Sequence, residues 1–371
     1  MAKLKPGYFR NENGMLQCRF TYENKRHAVY GHSYQECEEK KQKLIEKLKN
    51  HLLTCNESIT LSEYYIEWQN GRELTIEDST RYTNDQRWAR MEPYIGKEKV
   101  AKLETRHIVN MRNSLAKKLS ITTVNDEIVL LNSIMESAIE DKIRLDNPCK
   151  SKSLKPLKSD EEEATDTYHR ALTLEEQALF FKAAKERTWY YELLVFMIST
   201  GCRVGEAGAL KWTDIDYVNN VVHITKTVTR ISNKEYVVKN KPKTKKSKRD
   251  IPLTETAKQA LRSQKLKSRI LQIDGNVFPT TTGKLLQKGI VNAAISNVLE
   301  KMETRDGIKI EHFTSHALRA TFATRAIEQG MTPQTLKTIL GHSSIKMTMD
   351  LYAHVLPNTK QEEMQKLEIV V

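Results

Sequence analysis

Cysteine is scarce in this sequence, and its placement follows no pattern. The chain of 371 residues has five cysteines, and no two of them have C-x-x-C spacing; they are Cys18, Cys37, Cys55, Cys149 and Cys202. An odd, dispersed set favours neither a disulfide framework nor a zinc site. We therefore expect reduced thiols, as in a bacterial cytoplasm, and no bound metal ion.

Several other signatures are missing. There is no long apolar run and no basic amphipathic anchor, so we expect no membrane partner. The opening MAKLKPGYFR is basic but lacks the apolar region of a signal peptide. No H-E-x-x-H motif occurs, and residues 275–284 do not have the spacing of a P-loop. No carboxylate cluster suggests two-metal chemistry, and we expect no cofactor.

Positive charge is abundant instead. Sixty basic residues against 47 acidic ones give a net charge of +13 and a pI near 9.3. Such an excess favours an anionic polymer as partner, with nucleic acid first, and hence a nucleoid-associated protein. Hydrophobic content of 39% and charged content of 29% fit a globular protein of two or three domains.

The sequence of residues 1–55 predicts a small, separate module. Three strands are expected over 8–10, 15–22 and 27–30, followed by a charged helix from Ser33 to about Leu52. A three-stranded sheet with one helix is near the minimum for independent folding. Its basic face is either a DNA contact or a solvated strand surface, and its basic residues are Arg10, Arg19, Lys25 and Arg26.

The sequence of residues 58–150 predicts helices throughout. Thr60 is a candidate N-cap, and aromatic residues follow it at helical spacing, which favours a core position for them. Arg81 and Arg87 punctuate the next helix and are candidate contacts to a DNA backbone. Residues 151–167 lack apolar periodicity and form a linker. Residues 168–371 form the last domain.

Two basic stretches of the last domain are candidate functional sites. Arg203 stands at a helix start between apolar runs, so it either pairs with Glu206 or faces an anion. Short strands are expected over 221–224, 230–231 and 236–238. They lead to the lysine-rich turn of residues 240–249. This turn is a solvated loop, a general phosphate contact or a hairpin that presents one lysine to a cleft; its candidate lysines are Lys243, Lys245 and Lys246.

The stretch of residues 314–354 carries four further polar residues on three predicted helices. His316 and Arg319 lie one turn apart on one helix face. A second helix begins at Thr332-Pro333 and ends at Gly341, which leaves His342 at its exit. Tyr352 lies on the third.

Convergence of these side chains would support a defined reaction. Two arginines can bind the non-bridging oxygens of a phosphate through forked hydrogen bonds. Tyrosine is a nucleophile once its proton is taken up nearby, and lysine or histidine can protonate a leaving sugar hydroxyl. The set would therefore cleave a phosphodiester without metal and keep the bond energy in a phosphotyrosine.

In this order and spacing, four motifs resemble those of the tyrosine recombinases, and in particular the integrases of conjugative transposons and temperate phages. They are TGCRVGE, PKTKKSKRDIPL, HALRATFAT and LGHSSIKMTMDLYAH. The resemblance implies that Arg203 and Arg319 clamp the phosphate, that Tyr352 attacks it and that Lys243 is the general acid, with Lys245 as alternative. It also implies that His316 assists proton transfer, that His342 contacts the phosphate and that Glu206 orients the site.

The chain departs from that family pattern at two positions. Ala320 follows Arg319, where many relatives have histidine, and this affects local packing rather than catalysis. Gly208 lies inside the helix after Arg203, where larger apolar residues are common. Glycine there costs about 1 kcal/mol relative to alanine, and close packing would explain it.

The resemblance extends to the amino-terminal part of the chain. It implies an α+β multidomain protein: an arm-type DNA-binding domain (1–55), an all-α core-binding domain (58–150) and a mainly α catalytic domain with a small antiparallel sheet. Expected partners are double-stranded DNA at core and arm sites, other copies in a homotetramer, and a directionality factor. Strand exchange would pass through a Holliday junction. A type IB topoisomerase-like relaxing enzyme and a non-catalytic DNA-binding regulator are the alternatives. Residues 361–371 would dock on a neighbouring protomer or on their own domain.

Overall fold

The computed structural model divides the chain into two compact units, Met1–Asp160 and Glu161–Val371. The residues that it describes are 6–10, 15–22, 25–52, 58–157, 170–233, 235–240, 248–270 and 275–355. No helix among them is both long and apolar enough to cross a membrane.

The first unit begins with an antiparallel sheet covered by one helix. Its strands are β1 (Tyr8–Arg10), β2 (Leu16–Tyr22) and β3 (Lys25–Gly31), in the order β1-β2-β3, and α1 (Tyr34–Leu52) follows. Because side chains alternate across a strand, one face of the sheet is apolar and packs on α1. The buried side chains are Tyr8, Leu16, Cys18, Val29 and Cys37. The predicted hairpin and helix are confirmed, and β3 begins two residues earlier than expected.

Four α-helices make up most of the rest of the first unit, as far as the structure describes it. They are α2 (Leu61–Gly71), α3 (Asp78–Ile95), α4 (Thr105–Ala116) and α5 (Ile121–Glu140). Thr60 and Glu63 form a capping box at the start of α2, which confirms the predicted N-cap. The aromatic residues that follow Thr60 at helical spacing, Tyr64, Tyr65 and Trp68, are buried, and Tyr65 stacks on the buried Trp88 with ring centroids 4.6 Å apart. They therefore belong to the core.

The second unit is mainly helical, with two small antiparallel sheets. The sheets have the orders β4-β5-β8 and β6-β7. Its elements in chain order are α6 (Leu174–Arg187), α7 (Tyr191–Thr200), α8 (Val204–Gly208), β4 (Ile215–Asp216), β5 (Val221–Ile224), β6 (Thr227–Arg230), β7 (Tyr236–Lys239), β8 (Arg249–Pro252), α9 (Glu255–Ile270), α10 (Lys288–Asp306), α11 (Ser315–Glu328), α12 (Pro333–Leu340) and α13 (Ile345–Val355). The predicted strand at 230–231 is wrong in its bounds, because β6 ends at Arg230.

Local capping signals set the ends of the helices that carry the site. Thr332 caps α12 and Pro333 is its first residue, as predicted from the sequence. Gly341 ends α12 with a φ of 66°, a left-handed conformation that glycine adopts without strain. At Gly208 in α8, an added Cβ would lie 2.9 Å from the Leu286 carbonyl oxygen. Close packing therefore accounts for this glycine, as expected.

Candidate active site

The α7–α8 connection places an arginine beside a buried glutamate. Arg203 is the N-cap residue of α8. Its guanidinium donates to one Glu206 carboxylate oxygen at 3.0 Å, and its backbone N–H donates to the other at 2.8 Å. The Arg203 side chain nevertheless remains 40% exposed. The ion pair and the accessible cation, which the sequence suggested as alternatives, thus occur together.

A second arginine, which was not predicted from the sequence as a site residue, binds the same carboxylate. Arg249, the first residue of β8, donates to both Glu206 oxygens at 3.0 and 2.8 Å and, through Nε, to the Ile339 carbonyl at 2.5 Å. Its side chain is only 2% exposed. The sequence feature that could have identified Arg249 is the alternation of buried and exposed side chains along β8, in which Arg249 and Ile251 face inward.

The two arginines keep Glu206 ionised. Burial alone would raise the pKa of this carboxyl. The hydrogen bond from Arg249 and the charges of Arg249 and Arg203 outweigh burial and hold the pKa at about 2. The carboxylate can therefore orient Arg203 at any pH at which the protein is expected to work.

Arg319 on α11 is a buried cation whose hydrogen bonds all go to uncharged groups. It donates to the carbonyl oxygens of Gly201 and Leu340, both at 2.7 Å. No carboxylate in the described part of the chain accepts a hydrogen bond from it. Burial, followed by the charge of Arg203, lowers the pKa of Arg319 to about 9, so the guanidinium is still protonated at neutral pH. An anion at this position would relieve an unfavourable buried charge.

His342 leaves the end of α12 as a neutral imidazole. Its backbone N–H closes the helix by donating to the Lys337 carbonyl at 3.1 Å. Burial chiefly, and then the charges of Arg319, Arg203 and Arg249, lower the pKa of His342 to about 4. At neutral pH its ring therefore carries one N–H donor and no charge.

Arginines also fix the position of the α12 terminus. Arg249 binds the Ile339 carbonyl and Arg319 binds the next one, that of Leu340. A Cβ on Gly341 would lie 3.0 Å from Nη1 of Arg249, so glycine permits this approach. A hydrogen-bond network of Arg203, Glu206 and Arg249 thus reaches the end of α12, where Arg319 binds the neighbouring carbonyl and His342 follows.

The structure does not bring Tyr352 to that network. Its hydroxyl donates to the carbonyl of Met331, in the turn between α11 and α12. Helix α12 has eight residues, and at 1.5 Å per residue the turn lies about 12 Å from the end that carries His342. Burial raises the pKa of Tyr352. His316 is half-buried on α11, one turn before Arg319.

Four predicted lysines and two predicted arginines of the helical region are not part of this network, as far as the structure describes it. Lys243, Lys245 and Lys246 lie outside the described residues, as does the side chain of Lys25. In the helical region, Arg87 is paired with Asp126 at 2.6 Å, and Arg81 donates to Asn70 at 3.1 Å.

The open face of the amino-terminal sheet combines cations with aromatic rings. The strand register places Arg19, Arg26, Phe9 and Tyr30 on the face opposite α1. The Arg19 guanidinium lies 4.5 Å from the centroid of the exposed Phe9 ring. Arg10 is exposed but has the parity of the α1-facing residues, as its pairing with buried Leu16 shows.

This helical fold with small antiparallel sheets carries a site of three arginines, a glutamate and a histidine, and the chain is a tyrosine-type site-specific recombinase. The model of the phage integrase family matches residues 170–359, and that of the phage integrase N-terminal SAM-like domain matches residues 60–116. The chain belongs to the phage integrase family. The family resemblance inferred from the motifs is thereby confirmed.

Known relatives support the same assignment. The chain is 30% identical over 285 residues to the transposase from transposon Tn916 of Enterococcus faecalis. This alignment covers 72% of this chain and 69% of the relative. It is 26% identical over 386 residues to a XerC-like tyrosine recombinase of Caldanaerobacter subterraneus subsp. tengcongensis, over 96% of this chain and 93% of the relative.

Solved structures confirm the predicted fold class. The Tn1549 transposon integrase in complex with a circular intermediate DNA superposes with a TM-score of 0.71 at 22% identity, over 84% of this chain and 100% of that one. The lambda integrase tetramer bound to a Holliday junction gives a TM-score of 0.59 at 18% identity, over 92% and 97% of the two chains.

Proposed function

We propose that this recombinase is the integrase of a mobile element of the conjugative-transposon type. It cuts and rejoins duplex DNA at specific sites through a 3′-phosphotyrosyl intermediate and a Holliday junction. The observation that carries the proposal is the buried Arg319, to which no carboxylate among the described residues is hydrogen-bonded, together with the charge of Arg203 and a neutral His342. A phosphate has the charge and the acceptor oxygens that this arrangement binds.

The reaction follows from these donors. Arg203 and Arg319 bind the non-bridging oxygens of the scissile phosphate, and their charges stabilise the charge that develops in the transition state. The ring N–H of His342 adds a third donor, and Glu206 orients Arg203. Tyr352 has to give up its hydrogen bond to Met331 before it attacks.

The attack forms the bond between the phenolic oxygen and phosphorus as the bond to the 5′-oxygen breaks. Lys243, or alternatively Lys245, gives a proton to the leaving 5′-oxygen, and His316 assists removal of the tyrosine proton. Attack by the 5′-hydroxyl of another strand reverses the step and releases Tyr352. The phosphodiester energy is conserved, so rejoining needs no cofactor.

The rest of the chain serves DNA binding in this proposal. Residues 1–55 form an arm-type DNA-binding domain that uses Arg19 and Arg26, together with Arg10 and Lys25. Residues 58–150 form the core-binding domain, residues 151–167 the linker and residues 168–371 the catalytic domain. Four protomers act on one junction, as in the lambda integrase complex. A directionality factor is a further proposed partner.

A suicide substrate tests the proposal. A duplex from the end of the element that encodes the chain is nicked so that a short product diffuses away after cleavage. The full chain should form a covalent protein–DNA adduct in EDTA, and Tyr352→Phe should abolish it. Tyr190→Phe is the matched control and should form the adduct normally. DNA binding without an adduct in EDTA or with added metal would support a regulator instead, and an adduct in Tyr352→Phe would place the nucleophile elsewhere.

Arg203→Lys separates binding from chemistry. An ammonium keeps the charge but cannot make the forked contact, so this variant should bind the duplex and cleave it poorly. Normal cleavage would refute the clamp. Relaxation of supercoiled plasmid without strand exchange between two sites would favour the topoisomerase-like alternative.

A further inference from the structure

Buried threonines in the helices of the second unit use their hydroxyl protons in one common way. The hydroxyl donates to the backbone carbonyl four residues earlier. Thr200 donates to Phe196 at 2.7 Å, and Thr321 donates to Ala317 at 2.8 Å. The exposed Thr338 of α12 does the same toward Gln334 at 2.9 Å. In each case a helix carbonyl accepts the proton.

Thr348 of α13 is different. Its side chain is completely buried, and its oxygen lies 3.0 Å from Nδ1 of His342. Within the described part of the chain, this is the one hydrogen bond that the Thr348 hydroxyl makes. A buried hydroxyl proton without an acceptor is costly. The favourable arrangement is therefore the one in which Thr348 donates and Nδ1 accepts.

This direction decides the tautomer of His342. A neutral imidazole has one N–H and one lone pair, so a ring that accepts at Nδ1 carries its proton on Nε2. Burial and the charges of Arg319, Arg203 and Arg249 keep the ring neutral, with a pKa of about 4. No group among the described residues bonds Nε2, so its N–H is available to a ligand.

We infer that Thr348 is a positioning residue that fixes His342 as the Nε2-protonated tautomer, so that His342 presents a hydrogen-bond donor to the anion held by the two arginines. The identity of that anion as the scissile phosphate rests on the proposed function. The tautomer itself does not. The opposite tautomer would point a lone pair at Nε2 toward a negatively charged oxygen and repel it.

Nitrogen-15 NMR of histidine-labelled full-length protein without DNA tests the tautomer directly. His342→Gln assigns the signal. The wild-type ring should show a protonated Nε2 and an unprotonated Nδ1, and Thr348→Ser, which keeps the hydroxyl, should retain this pattern. Thr348→Val should give a mixture of tautomers, whereas Thr338→Val should leave the signal unchanged. A protonated Nδ1 in the wild type overturns the inference, and so does an unchanged signal in folded Thr348→Val.

Cleavage kinetics on the suicide substrate test the consequence. Thr348→Val should slow adduct formation roughly tenfold, by analogy with partners that orient metal-binding histidines. Thr348→Ser should restore most of the rate. In a His342→Ala background, Thr348→Val should have no further effect. Equal slowing in both backgrounds would mean a purely structural role and would overturn the inference. Absence of any adduct from the wild type would instead remove the proposed function, while the NMR result still decides the tautomer.

Discussion

Arg249→Ala should destabilise the second unit far more than loss of a surface ion pair. The Arg249 side chain is 2% exposed, and the Glu206 side chain that it binds is 8% exposed. Removal of one partner of a buried pair costs about 3–5 kcal/mol, because the other charge stays buried without compensation. Arg203 still binds Glu206 in the variant, which favours the lower end. The Ile339 carbonyl, however, also loses a donor, at about 1 kcal/mol. We expect a loss of about 4 kcal/mol in the free energy of unfolding.

Hydrogen–deuterium exchange of the full chain in increasing urea measures this loss in peptides of the second unit alone. The control is Arg187→Ala, which breaks a more exposed pair with Asp306 and should cost much less, because water screens the charge that remains. Adding Glu206→Gln to Arg249→Ala removes the orphaned charge and should recover about 1–3 kcal/mol relative to the sum of the single changes. Equal losses in Arg249→Ala and Arg187→Ala, or strict additivity in the double variant, would refute the buried-charge argument.

Two further predictions concern residues of α8, Glu206 and Gly208. The pKa of Glu206 in the folded protein is about 2, below its ordinary 4.5, so its contribution to stability is complete above pH 4.5 and is lost as the pH falls toward 2. In Glu206→Gln, the free energy of unfolding in urea should therefore change less with pH across that window. Parallel curves of this free energy against pH for the variant and the wild type would contradict the prediction. Gly208→Ala should lower stability by about 1–3 kcal/mol, because its Cβ would meet the backbone of Leu286. Gly289→Ala in α10, where a Cβ meets nothing within 4 Å, should instead raise stability by about 0.5–1 kcal/mol, and calorimetry of the two variants distinguishes them.

The features predictable from the sequence are those whose partners are close along the chain. The capping box of Thr60 closes within three residues. The bounds of α12 follow from Pro333 and Gly341 for the same reason. Such signals depend on backbone geometry over one turn, so the surrounding fold hardly changes them.

Residues that meet across long stretches of chain are a different matter. Arg249 and Glu206 are 43 positions apart, and Arg319 and Gly201 are 118 apart. Arg249 is the last residue of a lysine- and arginine-rich stretch, and its residue type does not set it apart from its neighbours. Its inward position in β8 is what distinguishes it from an exposed basic residue.

The position of Tyr352 shows how far a motif can be interpreted. The family resemblance implies a shared site for His342 and Tyr352. His342 follows the predicted end of α12, and Tyr352 lies on the third helix, α13, as expected. The hydroxyl is nevertheless bound to the Met331 carbonyl, at the other end of α12 from His342. The motif therefore does not by itself fix where the Tyr352 hydroxyl lies in the folded chain. In the proposed reaction, Tyr352 has to give up its hydrogen bond to Met331, because the hydroxyl loses its proton when it attacks the phosphate.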